Sequence, residues 1–166
     1  MTTFLAQTVL PFLLILAGAS DFLTYRIPNW LTAVTALAFF PMAFVTGMGG
    51  EAILWHVAAG LLLLAIGFAL FSGGIFGGGD AKLMAAAGLW FGWAQLMPFL
   101  VYTALAGGLL AIAVGVWSLF HIEIEIREAS WAKRWLEVKP DVPYGVAFAI
   151  GGILAYPGTW WMSLPS

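Results

Sequence analysis

The most restrictive feature of this sequence is that its first 120 residues contain only five charged side chains, separated by long apolar runs. A helix that crosses the roughly 30 Å hydrocarbon layer of a bilayer needs about 20 apolar residues, and the runs approach or exceed that length. Over the whole chain 8% of the residues are charged, whereas a typical soluble domain has about 25%. The sequence therefore predicts an all-α membrane protein. The five charged residues are Asp21, Arg26, Glu51, Asp80 and Lys82.

About six membrane helices are predicted, packed in one bundle that forms a single domain over residues 1–166. Pro28 disfavours helix at the preceding residue and ends the first run, and Asn29 is a suitable N-cap for the second. The segment 72–80 separates the third and fourth runs, because its five glycines cannot form a stable helix interior. The fourth run is short for a complete crossing. The predicted spans are Phe4–Ser20, Trp30–Val45, Glu51–Phe71, Ala81–Ala94, Met97–Phe120 and a last one from Pro143 to about Trp161.

All six Lys and Arg residues fall in loops on one side of this predicted bundle. Arg26 lies between the first two spans, Lys82 lies where the third and fourth meet, and the other four lie in the polar segment 121–142. Because basic loops stay in the cytoplasm, this side is predicted to be cytoplasmic, with both termini outside in the periplasm. Asp21 and Asp80 then share the cytoplasmic side.

Asp21 and Asp80 are the candidate catalytic residues. A carboxylate beside apolar membrane sequence is costly and marks a functional site by default. Each also has a purely structural interpretation, Asp21 as a boundary charge and Asp80 as a helix N-cap. Two carboxylates in a dry site share a proton, so one can activate water as a base while the other protonates the substrate. Such a pair hydrolyses a peptide bond without a metal or a nucleophilic side chain.

Other chemistries find weaker support in the sequence. The absence of cysteine excludes disulfides, thiolate metal sites and a cysteine nucleophile. Ser20 is a poor candidate for a nucleophile, and His56 is expected to be a polar residue satisfied between helices. Lys82 is expected to extend toward the lipid headgroups rather than face Asp80. No metal motif, phosphate loop or basic stripe is found, so no metal, cofactor or nucleic-acid partner is predicted.

Three short motifs resemble those of the type IV prepilin peptidase family, a GxGD type of intramembrane aspartic protease. The second motif, residues 77–83, matches the family's G-x-G-D with its trailing K-L. The third, residues 143–147, resembles the P-Y-G-x-A opening of the last helix. They occur in order, at predicted span boundaries, over essentially the whole chain, whose compactness is similar to that of the peptidases of tight-adherence (Flp) pilus systems. The motifs are Asp21 with Ile27-Pro28-Asn29, Gly77-Gly78-Gly79-Asp80-Ala81-Lys82-Leu83, and Pro143-Tyr144-Gly145-Val146-Ala147.

The resemblance implies a multi-pass endopeptidase of the bacterial inner membrane whose active site faces the cytoplasm. Its partners would be the lipid bilayer and prepilins, from which it removes the short basic leader that precedes their N-terminal hydrophobic helix. Asp21 and Asp80 would be the catalytic pair. Long family members carry a cysteine-rich segment and also N-methylate the product, so this cysteine-free chain is expected to be a peptidase only. Residues expected to bind substrate or support the site are Gly77, Gly78, Gly79, Lys82, Arg26, Pro28, Asn29, Pro143, Tyr144 and Gly145.

Further interpretations stay open at this point. A noncatalytic six-helix scaffold or assembly subunit of a pilus or secretion system would keep the topology and make both aspartates structural. A cleavable signal ending at Ala17-Gly18-Ala19 is disfavoured, because no basic residue precedes the first apolar run. The segment 121–142 is expected to border the substrate entrance, and Trp131 and Trp135 could place one helical face on the membrane surface.

Overall fold

The computed structural model describes residues 2–125 and 142–165, with the side chains of 118–125 left out. These residues form helices and no strands. Two short 3₁₀ helices, Tyr156–Gly158 and Trp160–Ser163, follow the last α-helix. The helices are α1 Thr2–Thr24, α2 Asn29–Val45, α3 Gly50–Ser72, α4 Gly78–Glu125 and α5 Tyr144–Ala155.

Three of the helical stretches are long and apolar enough to cross a membrane: α1, α3 and the part of α4 from Gly78 to Trp117. Helix α2 is equally apolar but has 17 residues. The bounds of α2 and α3 each lie within one residue of those predicted from the sequence. The described chain is therefore compatible with a polytopic membrane protein, as predicted.

The expectation of about six separate helices is corrected by α4. Residues predicted as the fourth and fifth spans are joined in one helical element, α4, so the described residues hold five α-helical elements. This element is broken at Gly92, which has φ 58° and ψ −172°. Only glycine adopts this backbone conformation without steric cost. The sequence did not single out Gly92, because an isolated glycine in an apolar run is as easily explained by helix packing.

The chain reverses direction at Gly92. Tyr144 contacts the ring of Phe76 just before α4, and a Cβ added at Gly107, far along α4, would also touch Tyr144 at 3.4 Å. The rings of Phe91 and Phe99 stack with centroids 4.4 Å apart, although eight residues of straight helix would span about 12 Å. The two halves of α4 therefore run in opposite directions, and both approach the first residue of α5.

Side chains from elsewhere in the bundle cap the helix break. Ordinary helical hydrogen bonds to the carbonyls just before Gly92 are lost there. The Nδ1 of His56 donates to the carbonyl of Leu89 at 2.6 Å, and the indole of Trp161 donates to the carbonyl of Trp90 at 2.7 Å. This arrangement satisfies the freed acceptors within a buried aromatic cluster, as membrane interiors require. His56 is thus a satisfied polar residue between helices, as expected.

All the elements run between two ends of the bundle, called here the aspartate end and the far end. The aspartate end carries Asp21, the N-termini of α2, α4 and α5, and the C-terminus of α3. The far end carries the Gly92 reversal and the two 3₁₀ helices. The first and last parts of the described chain also lie together there, because the hydroxyl of Thr3 donates to the carbonyl of Pro165 at 3.1 Å. The side of the membrane that each end faces stays a prediction.

The polar segment 121–142 was expected to be a loop, but its first residues continue α4 to Glu125. Its central part, including Trp131 and Trp135, lies outside the described residues. The predictions of a surface-lying helix and of a border to the substrate entrance therefore stay untested.

Candidate active site

Asp21 is buried near the C-terminal end of α1, where its side chain is 5% exposed. Its Oδ2 accepts a hydrogen bond of 2.7 Å from the backbone amide of Gly145, the second residue of α5. A Cβ added at Gly145 would lie only 2.7 Å from the Cβ of Asp21. The contact between α1 and α5 therefore depends on a glycine at position 145, and it fixes one oxygen of the carboxylate.

Asp80 lies in the first turn of α4 and is half-buried. Its Oδ2 accepts a hydrogen bond of 3.0 Å from the amide of Gly77. This bond joins the third residue of α4 to the residue just before the helix, as the acidic side chain of a capping box does. Asp80 is therefore not the N-cap residue that was expected but the third residue of α4, and this bond occupies only one of its two carboxylate oxygens.

Contacts between neighbouring residues bring the two carboxylates to one region. Gly145, which bonds Asp21, follows Tyr144, whose ring lies 4.9 Å from that of Phe76, and Phe76 precedes the Gly77 that bonds Asp80. The two aspartates are 59 residues apart in the sequence and belong to different helices. No described Lys or Arg forms an ion pair with either of them. Two acidic groups so placed tend to retain one proton between them, because both cannot ionise cheaply in a partly dry site. The sequence predicted that these two residues share one face, and the structure places them together.

The three motifs contact one another around this pair. The ammonium of Lys82 donates a hydrogen bond of 2.8 Å to Oδ1 of Asn29, which joins the start of α4 to the start of α2. A Cβ at Gly79 would approach Ile27 to 3.1 Å, so the first and second motifs also pack tightly. Lys82 therefore does not face Asp80, as the helical spacing predicted, but its ammonium bonds α2, whereas extension to the lipid headgroups was expected.

The turn between α1 and α2 is held by side chains of α1. The hydroxyls of Ser20 and Thr24 donate to the carbonyl of Arg26 at 2.9 and 3.2 Å. Tyr25 has φ 53°, a left-handed conformation that ends α1 and is uncommon for a residue other than glycine. These bonds turn the chain so that Ile27 is buried against Gly79. Ser20 is thus a structural residue here, and its hydroxyl is committed to a backbone carbonyl.

The remaining predicted site residues lie in the same region. Pro28 and Pro143 precede α2 and α5 as their N-caps. The ring of Tyr144 lies 4.9 Å from that of Phe76. The side chain of Arg26 is exposed at this end, and Gly78 lies near Phe71. The sequence did not identify Ile27 and Phe76 as packing partners, although Ile27 belongs to the first motif and Phe76 directly precedes the second.

Nothing in the described part of the chain gathers three His, Cys, Asp or Glu residues into a group suited to a metal ion. His56 is at the far end, stacked on Phe39 with ring centroids 5.4 Å apart. The chemistry offered at the aspartate end is that of two carboxylates, two backbone amides that hold them, and a nearby lysine.

The sequence profile of one family, described as the type IV leader peptidase family, matches residues 8–112. The matched region includes the first two motifs and both aspartates, whereas the third motif lies beyond it. Neither the search of curated proteins nor that of solved structures found a match.

Proposed function

The chain belongs to the type IV leader peptidase family, and on that premise we propose that it is an intramembrane aspartic endopeptidase that removes the leader peptide from prepilins. The resemblance seen in the three motifs is confirmed at the level of the family. The family points to a peptidase in a membrane protein. The aspartic mechanism, the prepilin substrate and the residues involved are the proposal.

The observation that carries the proposal is the convergence of Asp21 and Asp80, each held by a backbone amide. The amides of Gly145 and Gly77 each bond one carboxylate oxygen. The second oxygen of each carboxylate is left for water or substrate. A general acid and a general base in fixed positions next to each other are what hydrolysis by a carboxylate pair needs.

In the proposed mechanism the pair holds one proton between its two members. The ionised carboxylate takes a proton from a water molecule as that water attacks the scissile carbonyl. The protonated carboxyl donates to the carbonyl oxygen, which gives a tetrahedral intermediate with two hydroxyls. The amine then leaves with the proton taken from water, and one hydroxyl returns a proton to the pair, which again holds one. The half-buried position of Asp80 lets water reach the site, whereas Asp21 is buried and shielded from solvent.

The proposed location is the inner membrane of a bacterium, with the aspartate end in the cytoplasm. This orientation rests on Arg26 and Lys82, which both lie at the aspartate end among otherwise apolar helices. Cytoplasmic access suits a substrate whose basic leader has not crossed the membrane. We expect the product to leave without an N-methyl group, because the cysteine-rich segment of long family members has no counterpart here.

The test is co-expression of a prepilin with the wild-type chain, Asp21→Asn or Asp80→Asn, followed by electrophoresis of the prepilin. We expect shortening with the wild type and none with either variant. Glu51→Gln is the matched control, because this carboxylate is exposed in the first turn of α3 at the far end. Normal shortening by either aspartate variant, at equal membrane levels, would instead support the noncatalytic scaffold.

A further inference from the structure

An apolar groove of about 480 Å³ lies between α2 and α3, with the first half of α4 as its floor. Neither catalytic carboxylate lines it. Helix α2 contributes residues at one-turn spacing from Asn29 to Phe40, α3 contributes Val57 to Leu64, and α4 contributes Lys82 to Leu89. The groove is therefore a continuous surface along three helices rather than a gap between two side chains.

The groove exists because α2 packs against α4 and α1 but makes few contacts with α3. A short turn over residues 46–49 joins α2 to α3 at the far end. Toward the aspartate end the two helices are separated, and α4 fills the space beneath them. The groove therefore runs along these helices, and Asn29 and Lys82 line it at the aspartate end.

The mouth of the groove is polar and lies beside the candidate active site. Asn29 and Lys82, joined by a hydrogen bond of 2.8 Å, both line it. Lys82 is two residues from Asp80, and Asn29 directly follows the turn that buries Ile27 against Gly79. Beyond this pair the lining contains no charged residue.

We propose that this groove seats the first turns of the substrate's apolar helix, so that the preceding, non-helical residues pass Lys82 and Asn29 to reach the aspartates. This inference rests on the proposed function and adds the position of the substrate. The span from Asn29 to Phe40 is about 17 Å at 1.5 Å per residue, which is about three helical turns.

The composition of the groove favours a helix as its occupant. Ala33, Ala36 and Ala85 line it, and small residues let the backbone of another membrane helix approach closely. At the mouth, the ammonium of Lys82 and the amide of Asn29 offer hydrogen bonds to peptide groups that are no longer paired within a helix. A peptide bond must be in such an unpaired segment before a protease can attack it.

Cysteine cross-linking tests the position directly, because the chain contains no cysteine of its own. Ala36→Cys lies in the groove, whereas Leu37→Cys is one residue away on a side chain that is 66% exposed outside it. Each is combined with Asp80→Asn and co-expressed with a prepilin carrying one cysteine in the second turn of its apolar helix. We expect a disulfide-linked product with Ala36→Cys and little with Leu37→Cys. Equal yields, or none with Ala36→Cys, would overturn the proposal.

A second measurement uses the intact aspartates and purified prepilin. Ala36→Phe fills the groove, so we expect KM to rise about tenfold with kcat unchanged, because it removes binding made equally in the ground and transition states. Leu37→Phe should change neither parameter. If Ala36→Phe instead lowers only the phospholipid that copurifies and leaves KM unchanged, the groove is a lipid site and the proposal is wrong.

The two proposals fail in different ways. Cross-linking with Ala36→Cys but no dependence of cleavage on either aspartate would retain the groove and reject the catalytic pair. Cleavage that needs both aspartates, without selective cross-linking, would retain the pair and reject the groove.

Discussion

The amide of Gly145 donates a hydrogen bond of 2.7 Å to Oδ2 of Asp21, linking α5 to α1 across 124 residues of sequence. The same glycine has no room for a side chain, because a Cβ there would lie 2.7 Å from the Cβ of Asp21. The third motif therefore positions the carboxylate of the first motif by a backbone bond and by close packing.

The first prediction concerns this contact. Gly145→Ala keeps the amide donor but must push Asp21 away, and a displacement of about 1 Å at a catalytic group can lower the rate about a hundredfold. We expect prepilin cleavage to fall by about that factor in a kinetic assay. Gly108→Ala is the control, since a Cβ there meets no atom within 4 Å. Equal activity of the two variants would show that the spacing of α1 and α5 does not limit the reaction.

The second prediction concerns the hydrogen bond between Lys82 and Asn29. If it fixes the start of α2 against the start of α4, Lys82→Met and Asn29→Ala remove the same interaction. Their effects on kcat/KM should then be less than additive, with a coupling of about 0.5–1.5 kcal/mol. Kinetics of the two single variants and the double variant give this coupling. Fully additive effects would mean that the two side chains act separately.

The third prediction concerns the reversal at Gly92. Gly92→Ala places a side chain at φ 58° and brings its Cβ within 2.6–2.8 Å of the ring of His56. The backbone strain alone costs about 1–3 kcal/mol, so we expect a clearly lower unfolding temperature in detergent. Adding His56→Ala to Gly92→Ala removes the clash but not the strain.

The double variant should therefore regain only part of the stability that the clash costs in Gly92→Ala, because His56→Ala also leaves the carbonyl of Leu89 without its donor. A Gly92→Ala protein as stable as the wild type would contradict the described reversal.

The fourth prediction concerns the cap supplied by Trp161. Trp161→Phe keeps most of the ring but leaves the buried carbonyl of Trp90 without its hydrogen bond. An unsatisfied buried acceptor costs about 1–3 kcal/mol. We expect a loss of that size by denaturant unfolding in detergent. Trp160→Phe is the neighbouring control, because Trp160 is 37% exposed. A greater loss of unfolding free energy in Trp160→Phe than in Trp161→Phe would contradict the structural role of Trp161.

The sequence predicted most of the helices because a membrane span leaves a simple pattern of uncharged apolar length. Both ends of α2 and α3 follow from the polar turns beside them. The reversal lies near the boundary predicted between Ala94 and Met97, but the sequence indicated neither its position at Gly92 nor its backbone conformation. The carbonyls of Leu89 and Trp90 at the reversal bond distant side chains, and no local signal reveals these partners.

The polar residues of the site could also be predicted, because carboxylates and a lysine are conspicuous in so apolar a chain. Their partners could not. The burial of Ile27 on Gly79 depends on how α1 turns into α2, and the groove depends on the separation of α2 from α3. Both are properties of helix packing, which a pattern of apolar residues does not specify.

The most direct test of the central claim is the cleavage rate of purified Asp21→Asn, Asp80→Asn and the double variant on one prepilin. If the two carboxylates act as one unit, either single replacement abolishes most of the activity and the double variant is no slower than the worse single one. Substantial cleavage by either single variant, or losses that multiply in the double variant, would contradict a catalytic pair formed by Asp21 and Asp80.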